Sequence, residues 1–200
     1  MSQILIIHHK PGSPLGYAII QKHAHKLAQA LQAHVTPLTI EEYLAQPQPP
    51  NTLVAAYLIL RGDHYDEVRE KAEKLGHRFL GTIPLELTTR ALCQKHGSKH
   101  CTTLTLYYYR ARRRAERQSR DLERLAQLVK SKCGITLALV RAGHGENHGS
   151  GQHRGACTDT LALLPTRNGE GSLLEYMENE LLMYFSKKAA ELHQRSPMNP

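Results

Sequence analysis

Short apolar runs alternate along this chain with longer segments in which apolar residues recur at every third or fourth position. An uninterrupted apolar run is typical of a strand buried on both faces of a parallel sheet, and such runs occupy residues 4–7, 53–60 and 135–140. The periodic segments predict helices at residues 16–32, 65–75, 85–96 and 108–132, and a last helix that opens at Ser172. Weaker signals predict strands at residues 35–38, 79–83, 102–106 and 160–164.

This alternation of strands and helices predicts an α/β protein with a parallel sheet flanked by helices. We expect two similar lobes around a cleft, an N-terminal α/β lobe at residues 1–100 and a C-terminal α/β lobe at 101–195. Residues 196–200 would then form a tail. The length of 200 residues suits two small lobes that share a core.

Composition adds an expectation about location. No apolar run approaches the roughly 20 residues that a membrane span needs, and Met1-Ser2-Gln3 lacks the cationic start of a signal peptide. We therefore expect a cytoplasmic protein that does not bind membranes. The four cysteines show neither the density nor the spacing of a disulfide scaffold, which predicts reduced thiols.

Charge and histidine content narrow the choice of partner. The formal net charge is +8, which favours an anionic partner such as a polycarboxylate, a nucleic acid or a membrane surface. The chain also carries 13 histidines, and histidine is the most frequent metal ligand in proteins. The positions of these histidines therefore carry most of the functional information.

Three strands of the buried type run directly into a histidine. Residues 4–7 lead to His8 and His9, residues 53–60 lead through Arg61-Gly62-Asp63 to His64, and residues 135–140 lead to His144. If these strands are parallel, the histidines meet at the carboxyl edge of the sheet, where α/β proteins bind ligands. Neutral imidazoles that converge there can bind Co²⁺, Ni²⁺, Fe²⁺ or Zn²⁺. The alternative is that each histidine is an ordinary polar loop residue.

These motifs resemble those of a known family. The strand that leads into His8-His9 and a Gly/Ser/Pro loop is similar to the opening of the class II chelatases, the sirohydrochlorin chelatase family, in which a strand leads into Gly-His-Gly-Ser. The strand that leads into Arg61-Gly62-Asp63-His64 resembles the second motif of that family, a strand into Gly-Gly-His, and residues 81–87 resemble its next segment. The chain departs from the family pattern at His8, Lys10 and Asp63, each of which stands where the family has glycine.

The resemblance implies an ATP-independent chelatase, a lyase of cobalamin or other tetrapyrrole biosynthesis. Such an enzyme inserts Co²⁺, Fe²⁺ or Ni²⁺ as a substrate into a sirohydrochlorin-type tetrapyrrole and uses no organic cofactor. The resemblance makes His9 and His64 the catalytic, metal-contacting pair. His8 is expected to be a helper and a secondary metal ligand. The imidazoles would bind the metal and accept the two pyrrole protons that leave as it enters. Lys10 and Arg61, which flank the motif histidines, and Arg110 of the Tyr/Arg-rich segment are expected to bind substrate carboxylates. A homodimer is a further expectation from the family.

A glycine-rich segment at residues 142–155 is a second candidate metal region. His144 would join His9 and His64 as a metal ligand, and Glu146, His148 and His153 would be secondary ligands. Histidine tracts are weak evidence by composition alone, so the competing interpretation is a plain surface loop.

Two other clusters offer alternatives. Cys93, His96, His100 and Cys101 have a spacing that could bind zinc, although a core cysteine beside surface histidines is the commoner arrangement. The Tyr/Arg-rich segment at residues 107–114 is predicted to lie on the helix 108–132. Three interpretations rank in the order of a solvated face, an anion-binding site and a nucleic-acid interface. The rival functions are thus a non-catalytic metal- or tetrapyrrole-binding protein of the same fold and a nucleic-acid-binding protein.

Overall fold

The computed structural model of the protein describes residues 3–11, 14–97, 101–108, 110–141, 156–160 and 173–194. In chain order these residues form β1 (Gln3–His8), α1 (Pro14–Leu31), β2 (His34–Thr39), α2 (Ile40–Ala45), β3 (Leu53–Ala56), α3 (Asp63–Lys74), β4 (Arg78–Thr82), α4 (Leu85–Gly97), β5 (Thr103–Tyr108), α5 (Ala115–Cys133), β6 (Thr136–Arg141), β7 (Ala156–Thr160) and α6 (Leu173–Gln194).

The first sheet is fully parallel and has the strand order β2-β1-β3-β4. Its central strand β1 is buried on both faces, as its apolar run predicted. Ile4 and Ile6 pack in the core on one face, whereas Leu5 and Ile7 pack in a separate core on the other. Helices α2 and α3 close the second of these cores, and α1, α4 and α6 contribute to the first. The sheet is therefore doubly wound.

The second sheet is also parallel, with β5 between β6 and β7. Leu104 and Leu106 of β5 belong to the same continuous core as Ile4 and Ile6 of β1. Helix α4 packs against α5, and α6 packs against α1 and α4. The predicted parallel α/β class is confirmed. Each sheet falls within one of the two predicted lobes, and the boundary between the lobes stays a prediction.

The cysteine prediction was wrong. Cys93 of α4 and Cys133 at the end of α5 form a disulfide, because the packing of these helices brings their Cα atoms to 5.7 Å. Cys101 is disulfide-bonded as well. These bonds also remove the two thiols of the alternative zinc cluster. In that cluster, His96 is buried and His100 lies outside the described residues.

Several boundaries differ from the predicted ones. β3 ends at Ala56 rather than at residue 60, although the amide of Tyr57 still donates to the Ile7 carbonyl at 2.7 Å. The Tyr/Arg-rich segment is not helical at its start, because Tyr108 belongs to β5 and α5 begins only at Ala115. β7 precedes the predicted strand 160–164, and residues 161–164 lie outside the described part of the chain.

In the described part of the chain, no helix combines the length and the apolar composition that crossing a bilayer requires.

Candidate active site

Two predicted histidines meet beside the carboxyl edge of the first sheet. His9 follows β1 directly, and His64 lies in the first turn of α3, which follows the connection out of β3. Because β1 and β3 are parallel neighbours, both segments emerge at the same edge. The two imidazole rings lie edge to face, with their centroids 5.3 Å apart and their planes at 76°. Residues 55 positions apart in the chain therefore form one pair.

The environment of His9 keeps its imidazole neutral. Burial, together with the neighbouring His64 and His8, lowers the pKa of His9 from 6.5 to about 4, against the opposing effect of Glu41. At neutral pH the ring therefore has an unprotonated nitrogen with a free electron pair. Such a nitrogen can bind a divalent metal ion or accept a proton.

His8 has a supporting position next to His9. Its side chain is buried, and its Nδ1 lies 2.8 Å from the backbone carbonyl of His9. Since a carbonyl oxygen only accepts, Nδ1 must carry the hydrogen and donate it. Burial lowers the pKa of His8, so this ring is also neutral. The contact fixes the backbone that presents His9, and the secondary metal role expected for His8 stays a prediction.

A carboxylate that the sequence analysis missed lies near the histidine pair. Helix α2 begins immediately after β2, and Thr39 and Glu42 form a reciprocal capping box at its start. This cap places Glu41 in the first turn, close enough for its charge to raise the pKa of His9. The sequence Thr39-Ile40-Glu41-Glu42 carries the capping-box signature, so the signal was present in the chain.

Asp63 holds the segment before α5 against α3. Its carboxylate oxygens accept hydrogen bonds from the backbone amides of Arg112 at 2.6 Å, Arg113 at 3.1 Å and Arg114 at 3.1 Å. Burial alone would raise the pKa of Asp63, but these amides and the Arg113 charge outweigh it and keep the pKa below its usual value. Asp63, which stands where the chelatase motif that the chain resembles has glycine, thus has a defined structural role here.

Gly62 allows the same segment to approach closely. A Cβ atom at this position would lie 3.3 Å from the Cβ of Ala111. That distance is tighter than ordinary van der Waals contact, so the absence of a side chain lets the chain around Ala111 pack against the start of α3. The glycine of the second motif therefore serves packing in this protein.

His64 has a carboxylate partner on its own helix. Its Nδ1 lies 3.0 Å from Oε2 of Glu67, and the other oxygen of Glu67 accepts a hydrogen bond from Nη2 of Arg113 at 3.2 Å. Glu67 was not among the predicted site residues. Its spacing of three residues from His64 on a helix was the available signal.

The three predicted carboxylate-binding cations have different environments. The Arg61 guanidinium is paired with the buried carboxylate of Asp121. Lys10 and Arg110 are exposed, and Lys10 follows His9 directly. Arg61 is exposed as well, but its charge is paired with Asp121, and a substrate contact stays a prediction for each of the three cations.

The second candidate metal region, residues 142–155, lies outside the described residues, and with it the predicted ligands His144, Glu146, His148 and His153. Within the described ranges, no group of three or more His, Cys, Asp or Glu side chains is arranged to hold a metal ion. The described site is therefore a histidine pair with carboxylates nearby.

The Tyr/Arg-rich segment offers less free positive charge than its sequence suggests. Arg113 pairs with Glu67, and Arg114 and Arg117 both pair with Asp66. Tyr108 lies on β5 and the arginines of the segment, at positions 110–114, precede α5, whereas Arg117 lies within it. The helix assumed for the nucleic-acid alternative therefore does not exist in that form.

Two parallel sheets flanked by helices, with paired histidines at the carboxyl edge of the first, define a chelatase-type α/β fold. The structure of CbiX, described as the terminal enzyme for biosynthesis of siroheme in denitrifying bacteria, is similar to this chain with a TM-score of 0.58 at 13% sequence identity. The similarity covers 96% of this chain and 99% of that one. It confirms the expected fold, and at this identity it establishes the fold alone. No protein-family model matches the sequence, and no curated protein matches it either.

Proposed function

We propose that this protein inserts a divalent metal ion into a sirohydrochlorin-type tetrapyrrole without ATP. The observation that carries the proposal is the pairing of His9 and His64, whose ring centroids lie 5.3 Å apart beside the carboxyl edge of a parallel sheet. The similarity of the fold to CbiX supports the same reaction class. Co²⁺, Fe²⁺ or Ni²⁺ would be the metal substrate, and the tetrapyrrole would be the acceptor.

The chemistry of insertion fits a neutral imidazole pair. Metal entry requires the loss of two pyrrole N–H protons, and each needs an acceptor close to the macrocycle. His9 stays unprotonated at neutral pH because its pKa is about 4. A base with so low a pKa retains protons poorly, so His9 suits transient metal binding and hand-over, while the exposed His64 suits proton transfer to solvent. Glu41 adds negative charge near the path of the cation.

The substrate also carries carboxylates, which favour a positive approach surface. Lys10 lies next to His9 in the chain, and both Lys10 and Arg110 are exposed. These residues are our candidates for the carboxylate contacts. His144 remains a candidate third ligand that would follow β6, and a homodimer remains an expectation from the family resemblance.

The decisive experiment is an anaerobic absorbance assay of sirohydrochlorin with Co²⁺, Fe²⁺ or Ni²⁺. We expect a metal-dependent spectral change faster than the uncatalysed reaction, reduced at least about 100-fold in His9→Ala and His64→Ala, the scale of a lost acid–base or ligand group. His25→Ala is the matched control, because His25 is an exposed histidine on α1. A wild-type rate equal to the blank with all three metals would refute insertion.

A second candidate is metal or tetrapyrrole binding without turnover. It is favoured by the finding that, across the described ranges, the site offers two histidines and no third ligand in place. In that case the wild-type protein would bind the metal or the macrocycle with no acceleration of insertion, and His9→Ala and His64→Ala would weaken metal binding.

A further inference from the structure

We infer that Glu67 is a positioning residue for His64, and that it fixes this imidazole in the Nδ1–H form so that Nε2 is the free nitrogen. This inference rests on the proposed function, because it assigns His64 a metal-binding or proton-accepting nitrogen. It concerns a residue of α3 that neither the sequence motifs nor the fold similarity identifies.

The hydrogen bond itself carries the first step. Nδ1 of His64 lies 3.0 Å from Oε2 of Glu67, three residues further along the same helix. A carboxylate can only accept, so a neutral His64 must donate from Nδ1. The electron pair is then left on Nε2, the nitrogen available to a metal ion or a pyrrole proton. Carboxylate–histidine pairs of this kind orient the ring and raise its basicity as a ligand.

A second contact holds Glu67 in place. Nη2 of Arg113 donates to Oε1 of Glu67 at 3.2 Å, which leaves Oε2 for His64. A glutamate on an exposed helix face would otherwise sample several rotamers. The arginine occupies one carboxylate oxygen and so restricts the direction of the other.

Asp63 explains why Arg113 stands there. Its carboxylate accepts hydrogen bonds from the consecutive backbone amides of residues 112–114, which fixes the segment between β5 and α5 over the start of α3. Gly62 permits the close approach, since a Cβ there would meet Ala111 at 3.3 Å. The sequence departure at Asp63 therefore supports the orientation of the neighbouring His64 through Arg113 and Glu67.

The test reads the tautomer directly. Long-range ¹H–¹⁵N correlation spectra of the full-length, metal-free protein, recorded above the ordinary histidine pKa, distinguish Nδ1–H from Nε2–H. We expect Nδ1–H at His64 in the wild type and a shift toward Nε2–H, the form a free imidazole prefers in water, in Glu67→Ala. Glu67→Gln should largely retain Nδ1–H, because its amide oxygen still accepts. Glu73→Ala is the matched control, since Glu73 is an exposed glutamate of α3 that pairs with Arg69.

Calorimetric titration with Co²⁺ separates this inference from the proposed function. We expect Glu67→Ala to weaken Co²⁺ binding by roughly 10–100-fold and Glu73→Ala to leave it unchanged. Wild-type His64 in the Nε2–H form, or Nδ1–H retained in Glu67→Ala, would overturn the role of Glu67 whatever the metal result. Absence of Co²⁺ binding and of insertion in the wild type, with the expected tautomers, would instead overturn the proposed function and leave the positioning contact intact.

Discussion

Arg61 and Asp121 form a bidentate ion pair that joins the segment after β3 to helix α5. Oδ2 of Asp121 accepts hydrogen bonds from the backbone amide of Arg61 at 2.9 Å and from its Nε at 3.1 Å, and Nη2 pairs with Oδ1. The Asp121 side chain is only 4% exposed, whereas that of Arg61 is 49% exposed. The contact thus fixes the chain just before Asp63 and His64.

We expect Asp121→Asn to destabilise the protein by about 1.5–3 kcal/mol, the range for losing hydrogen bonds to a charged group. The loss would come from the buried side of the pair, because the half-exposed Arg61 can turn to solvent. Urea unfolding followed by circular dichroism measures the change. Glu123→Gln, on the same helix but exposed, is the control. Equal midpoints for the two variants would contradict a structural role for the pair.

The sequence predicted the part of the site that depends on parallel strands. Apolar runs locate β1 and β3, and parallel strands present their carboxyl ends at one edge, so His9 and His64 were expected to meet. The prediction needed no knowledge of side-chain rotamers. It rested on strand direction alone, which the βα alternation predicts well.

The carboxylates around the pair were not predicted, because they depend on local caps and long-range packing. Glu41 owes its place to the capping box at the start of α2, and Glu67 meets Arg113 across 46 residues of sequence. The start of α5 was misplaced for a related reason. Tyr107 and Tyr108 have a high β-propensity, and pairing with β6 outweighs the helical pattern that follows them.

The packing of α4 against α5 predicts a measurable effect of the disulfide. Cys93 and Cys133 close a loop with a sequence separation of 40. A crosslink of this length typically stabilises by about 2–4 kcal/mol, chiefly by restricting the unfolded chain. We expect urea unfolding to give the double variant Cys93→Ser, Cys133→Ser a free energy of unfolding that is lower by that amount than that of the oxidised wild type. The control is the same pair of proteins compared after thiol reduction, where the difference should shrink. An oxidised wild type no more stable than the variant would rule out the bond as a stabilising link.

His23 of α1 is completely buried in the structure. Its Nε2 forms a hydrogen bond with the Tyr57 hydroxyl, and its Nδ1 lies 3.7 Å from the Glu178 carboxylate. Burial lowers the pKa of His23 from 6.5 to about 4, an effect that Lys26 reinforces and Glu178 opposes. The ring is therefore neutral in the folded protein at pH 7, and the helix face that carries it belongs to the core.

This buried ring predicts a loss of stability in acid. In the unfolded chain His23 binds a proton below about pH 6.5, whereas in the folded protein it does so only near pH 4. The free energy of unfolding therefore falls as the pH drops from 6.5 to about 4, and it levels off below that. The difference between the two pKa values corresponds to roughly 3 kcal/mol at most for His23. His8, His9 and His77 have lowered pKa values too, so they add to the same acid sensitivity. The difference between the urea midpoints at neutral pH and near pH 4 should therefore be smaller in His23→Gln than in the wild type. The variant His25→Gln, at an exposed position, should keep the wild-type difference. An unchanged pH dependence in His23→Gln would mean that His23 does not titrate on unfolding as its burial requires.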